Sequence, residues 1–186
     1  MLDPQQGLQR LTSCFDALNI PYFIGGSLAS SLHGLWRQTA DIDLVADVPM
    51  SKVEALAHDL QDDFYADEEM IASAILHGRS FNVIHLQTAF KFDVFPLGRD
   101  AFNQSQMRRR ILVSAEKLGV PGNVPVATVE DIMLAKLAWY RQSESEQQWK
   151  DLLGMVRARR EALDREYLKE WARFLHVEDL LDALLA

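Results

Sequence analysis

The chain has 186 residues, of which 48% are hydrophobic and 25% charged, and its net charge is −8 at pH 7. This composition is that of a globular protein of one domain, or of one compact domain with a helical extension. The sequence contains no apolar run long enough to span a bilayer and no basic, hydrophobic leader at its start. We therefore expect a cytoplasmic protein without a membrane partner.

The charge is divided unevenly along the chain. Residues 1–100 hold 6 basic and 14 acidic residues, whereas residues 101–186 hold 13 of each. This balance argues against a protein that coats nucleic acid by bulk positive charge. Arginines cluster at 108–110 and again at 157, 159 and 160. Each cluster fits a solvated face, and a local basic groove is the alternative.

Hydrophobic periodicity predicts alternating helices and strands in the first two thirds of the chain. We expect helices over 4–18, 27–33, 51–60 and 68–76, and strands over 22–24, 41–46, 81–86, 90–95 and 110–113. From residue 128 to residue 185 the pattern is helical, with breaks near 143–145, 163 and 177. The predicted architecture is α+β, a mixed sheet flanked by helices (residues 1–125) with a C-terminal helical region (126–186) packed on it.

Two aspartates occupy alternate positions of the predicted strand 41–46. Asp41 and Asp43 therefore point to one face, whereas Ile42 and Leu44 point to the other. Carboxylates held this close repel each other, and a divalent cation removes that penalty. Oxygen ligands at this spacing suit Mg²⁺ or Mn²⁺, although the D-x-D pattern alone also occurs by chance at strand ends.

A glycine-rich turn precedes this strand. Gly25, Gly26 and Ser27 follow the strand 22–24 and open a helix, so backbone amides there can approach an anion closely. The alternative is an ordinary strand-to-helix turn in which Ser27 is the N-cap. A turn suited to phosphate, followed 14 residues later by a pair suited to a metal, favours a nucleotide site.

A third carboxylate interrupts the apolar stretch FKFDVFP. Asp93 shares a strand face with Lys91 and Phe95, opposite Phe92 and Val94. If this strand lies beside strand 41–46, Asp93 completes a cluster of three acids. A charge on the exposed face of an edge strand is the alternative.

The stretch GGSLASSLHGLWRQTADIDL resembles the nucleotidyltransferase superfamily that includes DNA polymerase β. It resembles more closely the bacterial nucleotidyltransferase-like proteins of the AbiE-toxin and MenT-toxin kind, and the segment TVEDIMLAKLAWYRQSESEQQWKDLLG matches their helical part. The resemblance covers most of residues 20–155 and implies a nucleotidyltransferase fold. It differs from many members in having Ala40 before the first aspartate.

The resemblance also implies roles for particular residues. Those implied to bind metal and carry catalysis are Asp41, Asp43 and Asp93, and Asp93 would also help to deprotonate the attacking hydroxyl. Those implied to bind the nucleoside triphosphate are Gly25, Gly26, Ser27, Arg37, Thr39 and Lys136.

Lys136 stands out on residue pattern as well. It falls within the apolar stripe of the helix that the Thr128–Asp131 capping pattern starts, so it must either extend to water or meet an anion. Asp151, by contrast, lies opposite an apolar stripe, and we expect it to be solvated. His33 ends the helix after the glycine turn and is expected to pack there, because no second histidine or cysteine has ligand spacing.

These observations predict a Mg²⁺-dependent nucleotidyltransferase that moves a nucleoside monophosphate from an NTP to a hydroxyl of RNA, tRNA or protein. The toxin resemblance adds a possible antitoxin partner. Two other hypotheses stay open: a non-catalytic protein of this fold that binds nucleotide or a partner, and a metal-dependent phosphate-ester hydrolase.

Overall fold

In a computed structural model of the chain, residues 4–33, 41–116 and 120–186 are described. The strands of these residues form one mixed seven-stranded sheet in the order β3-β4-β5-β2-β1-β7-β6. Their bounds are β1 Tyr22–Ile24, β2 Asp41–Ala46, β3 Phe64–Tyr65, β4 Phe81–His85, β5 Lys91–Pro96, β6 Ile111–Ser114 and β7 Asn123–Val126.

Helices flank this sheet and make up the C-terminal part of the chain. Their bounds within the described residues are α1 Pro4–Ala17, α2 Gly26–Leu32, α3 Val53–Leu60, α4 Glu68–His77, α5 Ala101–Arg109, α6 Val129–Ser143, α7 Glu146–Arg159, α8 Arg165–Phe174 and α9 Glu178–Leu185. The predicted α+β class is confirmed. The predicted boundary at residue 125 stays a prediction, and it falls inside β7.

Strand pairing in the centre of the sheet decides where the candidate site lies. β2 pairs parallel with β5 and antiparallel with β1, and β4 pairs antiparallel with β5. Alternate residues of β2 and β5, among them Ile42, Leu44, Phe92 and Val94, are buried in the core. The opposite face of the same two strands carries the aspartates, because side chains alternate along a strand.

Three elements escaped prediction, and each has a local cause. α5 has few apolar residues, yet its cap is well formed, since the Asp100 side chain accepts a hydrogen bond from the Asn103 amide. β3 is only two residues long. β7 contains Pro125, which is unfavourable inside a sheet. Of the residues in β7, however, Val126 is the one that pairs with β1, so the proline is not part of that pairing.

The start of α3 also differs from expectation. The sequence from Ser51 to Glu54 suggests a capping box, but residues Met50–Lys52 form a 3₁₀ turn and Lys52 makes no side-chain cap bond. Lys52 instead donates to the Leu18 and Asn19 carbonyls, at 2.7 and 2.9 Å, and so joins the end of α1 to this turn. Within the described residues, no helix has the length and apolar content to cross a membrane.

Candidate active site

The strand register brings the three predicted acids together on one sheet face. Asp43 of β2 lies directly opposite Asp93 of β5, and Asp41 lies opposite Lys91. Because β2 and β5 are parallel, residues in register point the same way, so all four side chains share a face. The Lys91 ammonium lies 2.7 Å from Asp93 Oδ2. The alternative of an isolated charge on an edge strand is wrong for Asp93, because β5 lies between β4 and β2.

Electrostatics around Asp43 are unfavourable for its negative charge. Burial, together with the charges of Asp41 and Asp93, raises the pKa of Asp43 from 3.8 to about 6, although Lys136 and Lys91 partly oppose this rise. In turn, the hydrogen bond to Asp93 raises the pKa of Lys91. The cations around this face thus offset only part of its negative charge.

The glycine turn is fitted closely against Asp43. The Gly25 amide donates to the Asp43 carbonyl at 2.9 Å, which ties the turn to β2. Gly26 has φ +57°, and a Cβ at this position would lie 1.8 Å from Asp43 Oδ2. Only glycine permits both this backbone conformation and this approach. The N-cap of α2 is Gly25, without a side-chain cap bond, so the alternative in which Ser27 caps the helix is wrong.

The glycine turn and two of the acids, Asp41 and Asp43, line a cleft of about 530 Å³ between the sheet face and α6, whereas Asp93 lies beside Asp43 but is not among the lining residues. A larger but more open depression of about 680 Å³, at 160–166, lies elsewhere and contains none of the predicted site residues. The described residues that line the cleft include predicted site residues and others: Phe23, Gly25, Gly26, Ser27, Asp41, Asp43, Val45, Phe95, Gln106, Ala127, Asp131, Ile132, Ala135, Lys136, Trp139, Ser145, Gln147 and Gln148.

Lys136 lies in this cleft and is buried. Its ammonium donates to Gln148 Oε1 at 2.8 Å and lies 3.1 Å from Asp151 Oδ2. The lysine therefore meets an anion of the protein rather than extending to water. The expectation that Asp151 is solvated is wrong, because α7 packs on α6 and turns this carboxylate towards Lys136.

Two predicted nucleotide-binding residues, Arg37 and Thr39, lie outside the described residues. At least one arginine of each cluster makes an internal contact, whereas Arg108 and Arg157 are exposed, as expected for a solvated face. Arg109 stacks over the Tyr167 ring at 3.7 Å and lies 3.7 Å from Glu130, and Arg159 donates to the His33 carbonyl at 2.8 Å. His33 packs as expected, with Nε2 2.8 Å from the Ala127 carbonyl. Neither cluster lines the cleft.

Sequence reasoning missed several residues of the cleft. Gln106 belongs to α5, which the hydrophobic pattern did not reveal. Asp131 was expected only as part of a helix cap, and the Thr128 side chain does accept from its amide at 3.2 Å. Phe95 and Trp139 line the cleft as partly exposed aromatic residues. Their only sequence signal is their spacing, two residues after Asp93 and three after Lys136.

The donor set of this face fits a hard divalent cation. All three acids supply carboxylate oxygens, and the raised pKa of Asp43 reports negative charge that a cation would offset. Across residues 4–33, 41–116 and 120–186, however, no three His, Cys, Asp or Glu side chains are already arranged around one ion position. The contact with Lys91 occupies Asp93 Oδ2. A metal at this site therefore stays a prediction.

Comparisons with known proteins bear on the fold. No protein-family model and no curated protein sequence matches the chain. Several solved structures do match it.

A nucleotidyltransferase-like antigenic protein from Paracoccidioides brasiliensis matches with a TM-score of 0.55 and 18% identity over 98% of this chain and 92% of that one. The antibiotic-resistance factor ANT(2'')-Ia matches with a TM-score of 0.53 and 16% identity over 94% and 97%. The lincosamide antibiotic adenylyltransferase LnuA, in its lincomycin-bound form, matches with a TM-score of 0.50 and 12% identity over 81% and 95%. The chain therefore has the nucleotidyltransferase fold.

Proposed function

We propose that this protein is a nucleotidyltransferase that moves a nucleoside monophosphate from an NTP to a hydroxyl acceptor and depends on Mg²⁺ or Mn²⁺. One observation carries the proposal: the parallel register of β2 and β5 sets Asp43 beside Asp93, on the face that the Gly25–Gly26 turn approaches. Solved structures of the same fold include named adenylyltransferases, which supports transfer of a nucleoside monophosphate.

The residues that would hold the cation are Asp41, Asp43 and Asp93. When bound, a divalent cation supplies positive charge to the α-phosphate and to the attacking and leaving oxygens. The protein itself would orient the reactants around these acids. The acceptor hydroxyl attacks the α-phosphorus, its proton passes to Asp93, the bond to the bridging oxygen breaks, and pyrophosphate leaves.

The triphosphate would lie between the glycine turn and α6. The Gly26 backbone amide and the Ser27 hydroxyl are the proposed phosphate donors on one side, and Gly25, whose own amide donates to the Asp43 carbonyl, holds the turn in place. Lys136 approaches from the other side, where Gln148 and Asp151 hold its ammonium in the cleft. Arg37 and Thr39 complete the proposed set by their positions in the sequence.

Wider assignments rest on the resemblance to AbiE and MenT toxins. They are a bacterial origin, an RNA, tRNA or protein acceptor, and an antitoxin partner, while the proposed cytoplasmic location rests on the sequence pattern alone. The alternative function is a non-catalytic protein that keeps the fold and binds nucleotide or a partner. The raised pKa of Asp43 favours the enzyme, since crowded carboxylates destabilise a fold that has no use for them.

The test is transfer of label from α-³²P-NTPs in the presence of Mg²⁺. We expect Asp41→Asn and Asp43→Asn to lower the transfer rate by roughly 10²-fold or more, because each removes charge that acts on the transferred phosphate. Asp62→Asn changes an exposed aspartate outside the cleft and is the matched control. If the site variants transfer label at the wild-type rate, the proposed mechanism is wrong.

Thermal-shift titrations with ATP, CTP, GTP and UTP, with and without Mg²⁺, separate the two functions. Stabilisation by one Mg²⁺–NTP together with label transfer supports the enzyme. Stabilisation without transfer to RNA, protein or small hydroxyl compounds supports the binding protein.

A further inference from the structure

The cleft continues beyond the aspartates along the same two strands. Val45 and Phe95 lie two residues after Asp43 and Asp93, and the two are paired in register. Side chains two apart share a strand face, so these apolar groups extend the floor of the cleft directly past the carboxylates. Phe23 and Ile132 also line it. This part of the cleft presents apolar surface next to the proposed reaction centre.

A buried amide lines the cleft as well. Gln106 of α5 is only 6% exposed, but its amide is not among the buried polar atoms that lack a partner in the described part of the chain, so it still reaches the cleft that it lines. An amide in this position can hydrogen-bond with water or with a ligand in the cleft, so it is a candidate for contact with a ligand.

Positive charge is scarce on the described lining of the cleft. Lys136 is its one cationic side chain, and its ammonium is already paired with Asp151. The arginines of 108–110 do not line the cleft: Arg108 is exposed, Arg109 contacts Tyr167 and Glu130, and Arg110 donates to the Met107 carbonyl. Binding of a nucleic acid backbone needs Lys or Arg along its path, so this surface suits an uncharged molecule better.

We propose that the part of the cleft formed by Val45, Phe95 and Gln106 (the acceptor pocket) binds a compact, uncharged compound that has hydroxyl groups and an apolar face. Gln106 hydrogen-bonds one hydroxyl and so determines specificity, while Phe95 packs on the apolar face. A second hydroxyl attacks the α-phosphorus of the NTP, its proton passes to Asp93, and pyrophosphate leaves. The inference rests on the proposed function, which it narrows to a small-molecule acceptor.

The probe is phenyl β-D-glucoside, which combines an uncharged aromatic ring with hydroxyl groups. Saturation-transfer NMR would measure its binding to the Mg²⁺–ATP-loaded protein, and α-³²P-ATP would measure transfer of label to the glucoside and to tRNA. Gln106→Leu removes the amide at nearly constant volume. Gln142→Leu makes the same change at an exposed residue of α6 outside the cleft and is the control. Thermal unfolding checks that both variants fold.

We expect the glucoside to bind and to accept label, and we expect Gln106→Leu to raise its KM by about tenfold, since a lost hydrogen bond to a buried group is of this size. The Gln142→Leu variant should match the wild type. Label on tRNA without binding of the glucoside would overturn the inference and leave the proposed function intact, as would an unchanged KM in Gln106→Leu. Absence of both Mg²⁺–NTP binding and label transfer would overturn the proposed function and, with it, this inference.

Discussion

Two aspartates of this protein, the half-buried Asp43 and the fully buried Asp131, stand in opposite electrostatic situations. Asp131 is fully buried, and each of its carboxylate oxygens has a protein donor: the Tyr167 hydroxyl at 2.6 Å and the Thr128 hydroxyl at 2.8 Å. Asp43 has two other carboxylates as neighbours, and the backbone of Gly26 packs against its carboxylate on one side. Burial raises the pKa of both groups.

The difference separates a structural acid from a candidate catalytic one. Around Asp131 the protein supplies the compensating groups itself, and the network joins α5, α6 and α8 through Ser105, Thr128 and Tyr167. Around Asp43 the charges of Asp41 and Asp93 add to the cost of burial, and Lys136 and Lys91 offset only part of it. An acid centre in a cleft whose charge is offset only in part is a candidate for binding a cation from solution.

The largest expected effect comes from Gly26→Ala. The new methyl group would clash with Asp43 Oδ2, and alanine is also strained at φ +57°. We expect label transfer from α-³²P-NTP to fall by roughly 10²-fold or more, because displacement of Asp43 disrupts the acid cluster.

Gly78→Ala is the control for this change. Gly78 has a similar φ of +61°, and a Cβ there meets no atom within 4 Å. The Gly78→Ala variant therefore has the same kind of backbone strain as Gly26→Ala, on the order of 1 kcal/mol, but it has no steric clash. Equal losses of activity in the two variants would contradict the assigned role of Gly26.

Lys136→Met tests whether the buried lysine binds the triphosphate. Loss of a charged hydrogen bond of about 1.5–3 kcal/mol should raise the KM for NTP by roughly 10- to 100-fold. Steady-state kinetics of label transfer measure this KM. Lys150→Met, at an exposed position that pairs only with Glu146 at 3.6 Å, should leave the KM unchanged. An unchanged KM in Lys136→Met would mean that the lysine serves only the contact between α6 and α7.

Tyr167→Phe tests whether Asp131 and its hydrogen-bond donors stabilise the fold. It leaves Asp131 Oδ1 buried without its donor, while Arg109 still stacks on the ring. We expect the free energy of unfolding to fall by about 1–3 kcal/mol, as measured by urea denaturation. Tyr65→Phe, at a residue that is 60% exposed, should change it little. A loss of NTP binding without loss of stability would assign Tyr167 to the site instead.

The smallest expected effect concerns pH in the absence of divalent cations. The pKa of Asp43 is about 6 in the folded protein and 3.8 as the ordinary value, so between these pH values the folded state binds more protons. Stability should therefore fall as pH rises from about 4 to about 6, by at most about 3 kcal/mol. Urea denaturation at several pH values measures this fall, and Asp43→Asn should reduce it. A wild-type slope that persists in Asp43→Asn would assign the effect to other groups.

The response to Mg²⁺ should have the opposite pH dependence. Binding of a cation requires the ionised carboxylate, so thermal stabilisation by Mg²⁺ should fade as pH drops below about 6. Stabilisation that is constant across this range would argue against Asp43 as a ligand.

Much of the fold followed from local sequence pattern. Tyr22–Ile24 and Asp41–Ala46 have the predicted bounds, and α4 begins at the predicted residue, where Asp67 caps it by accepting from the Met70 amide. In these elements the hydrophobic residues recur with a clear period, and turn or capping residues mark where each element begins and ends. α5 and β7 lack a clear hydrophobic period, since one has few apolar side chains and the other contains a proline, and their formation depends on tertiary packing.

The sequence by itself determined that Asp41 and Asp43 share a strand face and that a turn with two glycines, Gly25 and Gly26, leads into a helix. It also determined that a lysine, Lys136, falls within the apolar stripe of its helix. Each is a consequence of local period or backbone freedom. Only the tertiary structure decided that Asp93 lies beside Asp43, that Asp151 meets Lys136, and that Gln106 lines the cleft. Those relations join distant parts of the chain through strand register and helix packing, which local pattern does not specify.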